Sequence, residues 1–93
     1  MAGKKDDHIK HGDGFADITL SRPLDVNGAK ISTVRMREPT VADQMASEKA
    51  SDSEAEKELT LMGNLSELTV DDLKRLTLRD YVRMRTALLG FVD

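Results

Sequence analysis

Four segments within residues 40–80 share one short pattern, a hydroxyl side chain followed three residues later by an acid. This is the spacing of a helix N-terminal capping box. The hydroxyl accepts a hydrogen bond from a free backbone amide, and the acid lies at the positive end of the helix dipole. One match is weak evidence, but four matches at plausible intervals predict four helix starts. The pairs are Thr40 with Asp43, Ser53 with Glu56, Thr69 with Asp72, and Thr77 with Asp80.

The apolar residues that follow these caps predict short amphipathic helices over about residues 41–50, 54–65, 70–75 and 78–91. The apolar side of the first predicted helix consists of Val41, Met45 and the alanines. The last predicted helix has the widest apolar face of the chain. Because that face exceeds what one stripe against a small core requires, we expect part of it to contact a partner.

The segment before the first cap carries the pattern of a β-hairpin over residues 17–37. Ile18 and Leu20 alternate with polar neighbours, as in a half-buried strand. The dipeptide Asn27-Gly28 favours a type I′ turn, since both residues tolerate positive φ. In the second strand the apolar alternation slips by one residue, which predicts a β-bulge near Ser32-Thr33.

These elements predict an α+β fold, an N-terminal β-hairpin followed by three or four short α-helices. We expect one domain over residues 16–93, because a chain of 93 residues has room for one modest core. Residues 1–15 are polar and contain glycine, and they are interpreted as a flexible arm.

The chain lacks the parts that catalysis requires. His8 and His11 lie near several aspartates but within the predicted arm, where nothing would hold a metal in place, so we interpret them as part of a solvated tail. There is no cysteine, and no histidine outside the arm to activate a hydroxyl nucleophile. Gly12 and Gly14 lack the flanking strand and helix of a phosphate-binding loop. The expectation is a protein that is not an enzyme and has no catalytic, metal-binding or cofactor-binding residues.

Composition limits the cellular compartment and the class of partner that we expect for this protein. No stretch approaches the roughly 20 apolar residues of a membrane span. The N-terminus lacks the apolar core of a secretory signal. Together with the absence of cysteine, this predicts a cytoplasmic protein. A net charge of −3 argues against nucleic acid as the partner. The basic residues of the last predicted helix keep a small DNA-binding regulator open as an alternative, although acids interleave with them.

Two surfaces are predicted to bind a protein partner. Arg35 and Arg37 project from one side of the second strand, and arginine is favoured at interfaces. An ordinary exposed strand face remains the alternative for them. The second surface is the C-terminal helix, with flexible methionines as adaptable contacts. The expected contact residues are Arg35, Arg37, Met45, Tyr81, Met84, Leu88 and Phe91.

Three segments resemble the small tail assembly chaperones of Mu-like and P2-like contractile-tailed bacteriophages. They are ITLSRPL from Ile18 with its Asn-Gly turn, MREPTVADQ from Met36, and LTVDDLKRLTLRDYVRM from Leu68. The resemblance implies a chaperone of tail morphogenesis that binds the tape measure protein, keeps it soluble and helps to recruit tail tube subunits. It also implies action in the host cytoplasm and absence from the mature virion.

The resemblance also implies a longer frameshifted form of the chain as an expected partner. Self-association into a homo-oligomer is an expectation from the thin core of this short chain. A structural head–tail connector protein remains an alternative function.

Overall fold

The computed structural model describes residues 7–92, which form a three-stranded antiparallel sheet followed by four helices. The fold is therefore α+β, as the sequence predicts. The strands are β1 (Ile9–Gly12), β2 (Phe15–Val26) and β3 (Ala29–Arg37), and they lie in the order β1-β2-β3. The helices are α1 (Val41–Glu48), α2 (Glu54–Ser66), α3 (Val70–Lys74) and α4 (Leu78–Gly90).

The turn between β2 and β3 is the one that the sequence predicts. Asn27 and Gly28 have φ angles of 54° and 85°, and the two residues that flank them, Val26 and Ala29, pair directly. Asp25 stabilises the turn, because its carboxylate accepts a hydrogen bond of 2.9 Å from the Gly28 amide. Positive φ at both central residues is the requirement of a type I′ hairpin turn.

The β-bulge that the sequence predicts in β3 lies instead in β2, the strand that pairs with it. Thr19 pairs with Thr33 and Leu24 with Ile31, so residues 20–23 of β2 lie opposite Ser32 alone. The extra residues are thus in β2 and not near Ser32-Thr33 in β3, and this corrects the prediction. The reason is Pro23, whose ring nitrogen has no hydrogen to donate to a ladder, so that the regular pairing of β2 is interrupted there.

β1 corrects the interpretation of residues 1–15 as a flexible arm. Ile9 pairs with Ile18 and Gly12 with Phe15, across a two-residue turn at Asp13-Gly14. The signal for this turn is the Asp-Gly dipeptide, in which Gly14 has a φ of 86°. Residues 1–6 of the predicted arm lie outside the described residues.

His11 fastens β1 to the C-terminal end of α4. Its Nε2 donates a hydrogen bond of 3.0 Å to the Ala87 carbonyl, and its ring meets the Phe91 ring edge-on at 4.8 Å. A Cβ atom at Gly90 would lie 2.5 Å from the His11 ring, so a larger residue there would displace the ring. His11 is exposed, but it belongs to a paired strand, and the expectation that it lies in a flexible tail is wrong.

All four predicted caps are present. The hydroxyl groups of Thr40, Ser53, Thr69 and Thr77 each accept a hydrogen bond from the amide three residues later. The boxes at Thr40 and Thr69 are reciprocal, since Asp43 and Asp72 each bond back to the cap amide. These bonds supply partners to amides that a helix leaves free at its start.

The core lies between one face of the sheet and the helices α2, α3 and α4. α1 contributes one buried residue, Ser47, whose hydroxyl donates to the Gln44 carbonyl. The apolar side of α1 therefore faces away from the core. The buried apolar residues are Ala16, Ile18, Leu20, Leu24, Val34, Met36, Leu61, Met62, Leu65, Leu73, Met84, Ala87 and Leu88.

Candidate functional site

Large apolar side chains are exposed on two helices. On α1, Val41 is 77% exposed and Met45, one turn later, is 58% exposed. A second set lies on and just after α4: Leu78, Val82, Leu89 and Val92. Scattered apolar residues are ordinary on a protein surface, but neighbouring ones that share a concave surface are typical of contact sites.

An apolar groove separates the start of α1 from the end of α4. Glu38 and Pro39 follow β3, and Thr40 caps α1. The chain thus enters α1 beside the C-terminal part of α4, whose Leu89 lines the same groove. The groove encloses about 390 Å³, and Leu61 of α2 and Leu88 of α4 are its most buried lining residues. Its complete lining is Pro39, Thr40, Val41, Gln44, Leu61, Leu88, Leu89 and Val92.

The groove continues into a second, polar compartment of about 470 Å³. The two compartments share Gln44, Leu61 and Leu88, so they form one surface, which we call the α1–α4 groove. Residues from α1, α2 and α4 line the polar compartment. Besides the three shared residues they are Ser47, Glu48, Glu54, Ala55, Lys57, Glu58 and Arg85.

In the polar compartment, one lysine forms ion pairs with two carboxylates. The Lys57 ammonium lies 3.1 Å from Glu48 and 3.1 Å from Glu54, and these hydrogen bonds raise the pKa of Lys57. The Lys57 side chain is 18% exposed, whereas the Glu54 side chain is 87% exposed. This arrangement leaves one negative charge in excess beside Lys57.

Glu58 is held by α4. Tyr81 donates its hydroxyl hydrogen to Glu58, and Arg85 donates to the same carboxylate at 3.0 Å. Burial raises the pKa of Glu58, but the hydrogen bonds from Arg85 and Tyr81 outweigh it, and the pKa is lowered overall. Burial and the bond to Glu58 raise the pKa of the Tyr81 hydroxyl. This cluster joins α2 to α4 and fixes the wall of the groove.

The two predicted contact arginines are engaged within the chain and lie outside the groove. Arg35 forms a two-point ion pair with Asp17, at 2.8 and 2.9 Å, and its guanidinium covers the Phe15 ring at 4.0 Å. Arg37 forms a second two-point pair with Asp43, at 2.7 and 2.8 Å. The hydrogen bond from Arg37 lowers the pKa of Asp43 below its usual range.

The other predicted contact residues are spread over the helices. Leu88 lines the groove, Met45 is exposed on α1, and Tyr81 binds Glu58 near the polar compartment. Phe91 packs against His11. Met84 is fully buried, which corrects its assignment as a contact residue, because it lies on the same face of α4 as the buried Asp80 and Ala87.

Apart from Leu88, sequence reasoning did not assign the residues that line the groove. Val41 counted only as part of the apolar side of the first helix, and Leu89 as one apolar residue among several on the last helix. Glu48 and Lys57 carry no motif of their own. Their pairing depends on the packing of α1 against α2, which no local pattern encodes.

The basic stretch of α3 and α4 is largely neutralised by the chain itself. Arg75 binds Asp72 at 2.7 Å and the Asp25 carbonyl at 2.6 Å. Arg83 donates to the Thr19 carbonyl at 2.7 Å, and Arg85 binds Glu58. Arginines held in this way are poorly placed to contact phosphates, which weighs against the DNA-binding alternative.

Residues 7–92 show neither a metal-binding cluster nor a membrane-spanning helix. Within this range no three acidic or histidine side chains are grouped as metal ligands would be. Within the same range no helix has the length and apolar character needed to cross a membrane.

An open, apolar groove between two helices is a common way for proteins to bind protein segments. The sequence profile of the family described as "Phage tail assembly chaperone proteins, E, or 41 or 14" matches residues 17–93 of this chain. The chain belongs to this family. No curated protein and no solved structure matches it in the parallel comparisons. As a tail assembly chaperone it acts on protein partners during assembly of the phage tail.

Proposed function

We propose that this tail assembly chaperone binds the tape measure protein in the α1–α4 groove, keeps it soluble and helps to recruit tail tube subunits. We place this activity in the host cytoplasm during morphogenesis of a Mu-like or P2-like tail. The observation that carries the proposal is the unpartnered apolar wall of the groove. Val41 and Leu89 are more than half exposed there, above a floor made by Leu88.

The proposal is supported by the complementary surfaces of the client and the groove. A long helical client exposes apolar side chains before assembly, and these aggregate unless another apolar surface covers them. The groove offers such a surface on a protein in which 33% of the residues are charged, and charge of that density keeps a complex in solution. Met45 adds an adaptable contact beside the groove, since methionine adjusts its shape to its neighbour.

Co-expression with the tape measure protein encoded in the same genome tests this proposal. We expect the chaperone to increase the soluble fraction of the tape measure protein, and Val41→Ser to reduce that gain. Leu78→Ser is the matched control, because Leu78 is also 77% exposed but does not line the groove. A soluble fraction that the chaperone leaves unchanged would refute the proposal. Equal effects of both variants would move the binding site away from the groove.

We propose the outer face of the sheet, with Arg35 and Arg37, as the contact for a second assembly partner, the tail tube subunit. Both side chains are at least half exposed although each is ion-paired. Replacing Arg35 and Asp17 together by alanine removes the pair without leaving a lone carboxylate. This double variant is expected to retain less tube subunit in a pull-down while still solubilising the tape measure protein. Unchanged retention would exclude this face.

We further propose that the chaperone is absent from the finished virion and that it associates with itself or with a longer frameshifted form. Mass spectrometry of purified particles checks the first point. Recovery of the chain in stoichiometric amounts would instead favour a structural head–tail connector. Sedimentation equilibrium of the purified chain checks self-association.

A further inference from the structure

The two ends of the α1–α4 groove differ in chemistry. At the end formed by the start of α1, the walls are Pro39, Val41, Leu89 and Val92, with no charged side chain among the lining residues. At the other end the lining contains three carboxylates and two cations. An occupant that fits both ends must therefore be apolar at one end and cationic at the other.

The excess negative charge is specific to Glu48 and Glu54. Glu58 is already matched, since it accepts from both Tyr81 and Arg85. Lys57 is the remaining cation of the lining, and it lies 3.1 Å from each of the other two carboxylates. Because one ammonium cannot neutralise two carboxylates, a second cation would be attracted to this position.

The form of the occupant follows from what lines the groove. A bound β-strand needs a sheet edge with a row of free backbone amides and carbonyls, but none of the three strands contributes a lining residue to the groove. Recognition must therefore come from side chains, as when an amphipathic helix lies in a groove. Val41 and Glu48 lie seven residues apart on α1, about 10 Å along the helix axis.

We propose that the α1–α4 groove binds one amphipathic α-helical segment of the client in a fixed direction. Apolar anchors one turn apart fill the end at Val41 and Leu89, and a lysine or arginine about seven positions away lies beside Glu48 and Glu54. The inference rests on the proposed function, because it names the kind of client segment that the chaperone recognises.

Blocked helical peptides of about 15 residues test the inference with the full chain. One peptide carries two leucines a turn apart and a lysine seven positions after them, and a second carries the lysine seven positions before them. Two further peptides have glutamate in place of the lysine. We expect one lysine peptide to bind best, and to bind about two- to fivefold more tightly than its glutamate counterpart, as for a solvent-exposed ion pair. The difference should shrink at high salt.

Glu54→Lys should remove or reverse the preference for the lysine peptide. Glu67→Lys is the matched control, since it makes the same change of charge at an exposed residue that does not line the groove. Equal affinity for lysine and glutamate peptides, or a preference that survives Glu54→Lys, would overturn the inference.

The tape measure co-expression assay, run with the same variants, separates this inference from the proposed function. If Val41→Ser reduces solubilisation as expected while the peptides show no charge preference, the inference fails and the proposed function stands. If the chaperone neither solubilises the tape measure protein nor binds any peptide, both fail. If Val41→Ser instead dissociates an oligomer that the peptides do not disturb, a second copy occupies the groove and the inference is overturned.

Discussion

α1 and α4 begin with the same signal and are attached to the protein in different ways. Each starts with threonine and has aspartate three residues later. In α1, Asp43 bonds back to its own cap and to the exposed Arg37, and Ser47 is the one buried residue.

In α4, Asp80 is itself buried. It accepts hydrogen bonds from the Ser21 and Arg22 amides of β2, at 2.8 and 3.3 Å. Met84 and Ala87 follow it into the core. The capping signal thus determines where a helix begins, while the contacts of its later turns determine whether the helix belongs to the core or remains available to a partner.

The largest difference between the two helices should appear when their methionines are shortened. Met84 is fully buried on α4, whereas Met45 is 58% exposed on α1. Met84→Ala should lower the free energy of unfolding by about 3 kcal/mol, because it removes buried atoms and leaves a cavity. Met45→Ala should change it by less than about 0.5 kcal/mol. Urea unfolding followed by circular dichroism measures both values. Similar losses for the two variants would show that α1 is packed as firmly as α4.

Local patterns predict the helix starts and the Asn27-Gly28 turn because each depends on residues a few positions apart. The φ angles of this turn and the hydroxyl bond of each cap need no distant partner. β1 carried a local signal too, in Asp13-Gly14, but it is a four-residue strand in a polar segment. Its pairing with β2 is local, across the Asp13-Gly14 turn, but the docking of His11 on α4 joins residues that are 76 positions apart.

The groove could not be predicted because it depends on which face of each helix the tertiary packing buries. Val41 and Met84 are both apolar residues at helical spacing, yet one is 77% exposed and the other is fully buried. Nor does the sequence reveal that Asp80 has a second role. As part of a capping motif it resembles Asp72, which is partly buried and binds only Thr69 and Arg75 of its own helix start and end.

The same substitution at Asp80 and at Asp72, in two similar capping motifs, therefore tests whether Asp80 has this second role. Asp80→Asn should lower the free energy of unfolding by about 2 kcal/mol, because two β2 amides lose a charged acceptor in a buried position. Asp72→Asn should have a smaller effect, because the guanidinium of Arg75, which loses a partner, is about half exposed and can bind water instead. Thermal unfolding compares the two. An equal effect would mean that the bonds from Asp80 to β2 add nothing to its role as a cap.

The hydrogen bonds from the two β2 amides to the Asp80 carboxylate also predict that the stability of the fold depends on pH. Burial raises the pKa of Asp80, but the hydrogen bonds from Ser21 and Arg22 outweigh it and the pKa is lowered from its usual 3.8. A carboxyl group with a lowered pKa in the folded state stabilises the fold above its unfolded pKa, and the contribution is lost as the pH falls through the folded pKa. The stability difference between the wild-type protein and Asp80→Asn should therefore be full at pH 7 and shrink below about pH 4. A difference that stays constant down to pH 2 would contradict this assignment.

The smallest expected effect is that of removing the capping hydroxyl of α1 or of α4. Thr40→Ala and Thr77→Ala each remove a hydroxyl that accepts an amide hydrogen bond, a loss of about 1 kcal/mol for the helix concerned. Because α4 is part of the core, Thr77→Ala should lower the midpoint of global unfolding. α1 has few buried contacts, so Thr40→Ala should leave that midpoint nearly unchanged and instead speed hydrogen exchange of the α1 amides. If Thr40→Ala lowers the midpoint as much as Thr77→Ala does, α1 unfolds together with the core, and a client would then meet a groove wall as rigid as α4.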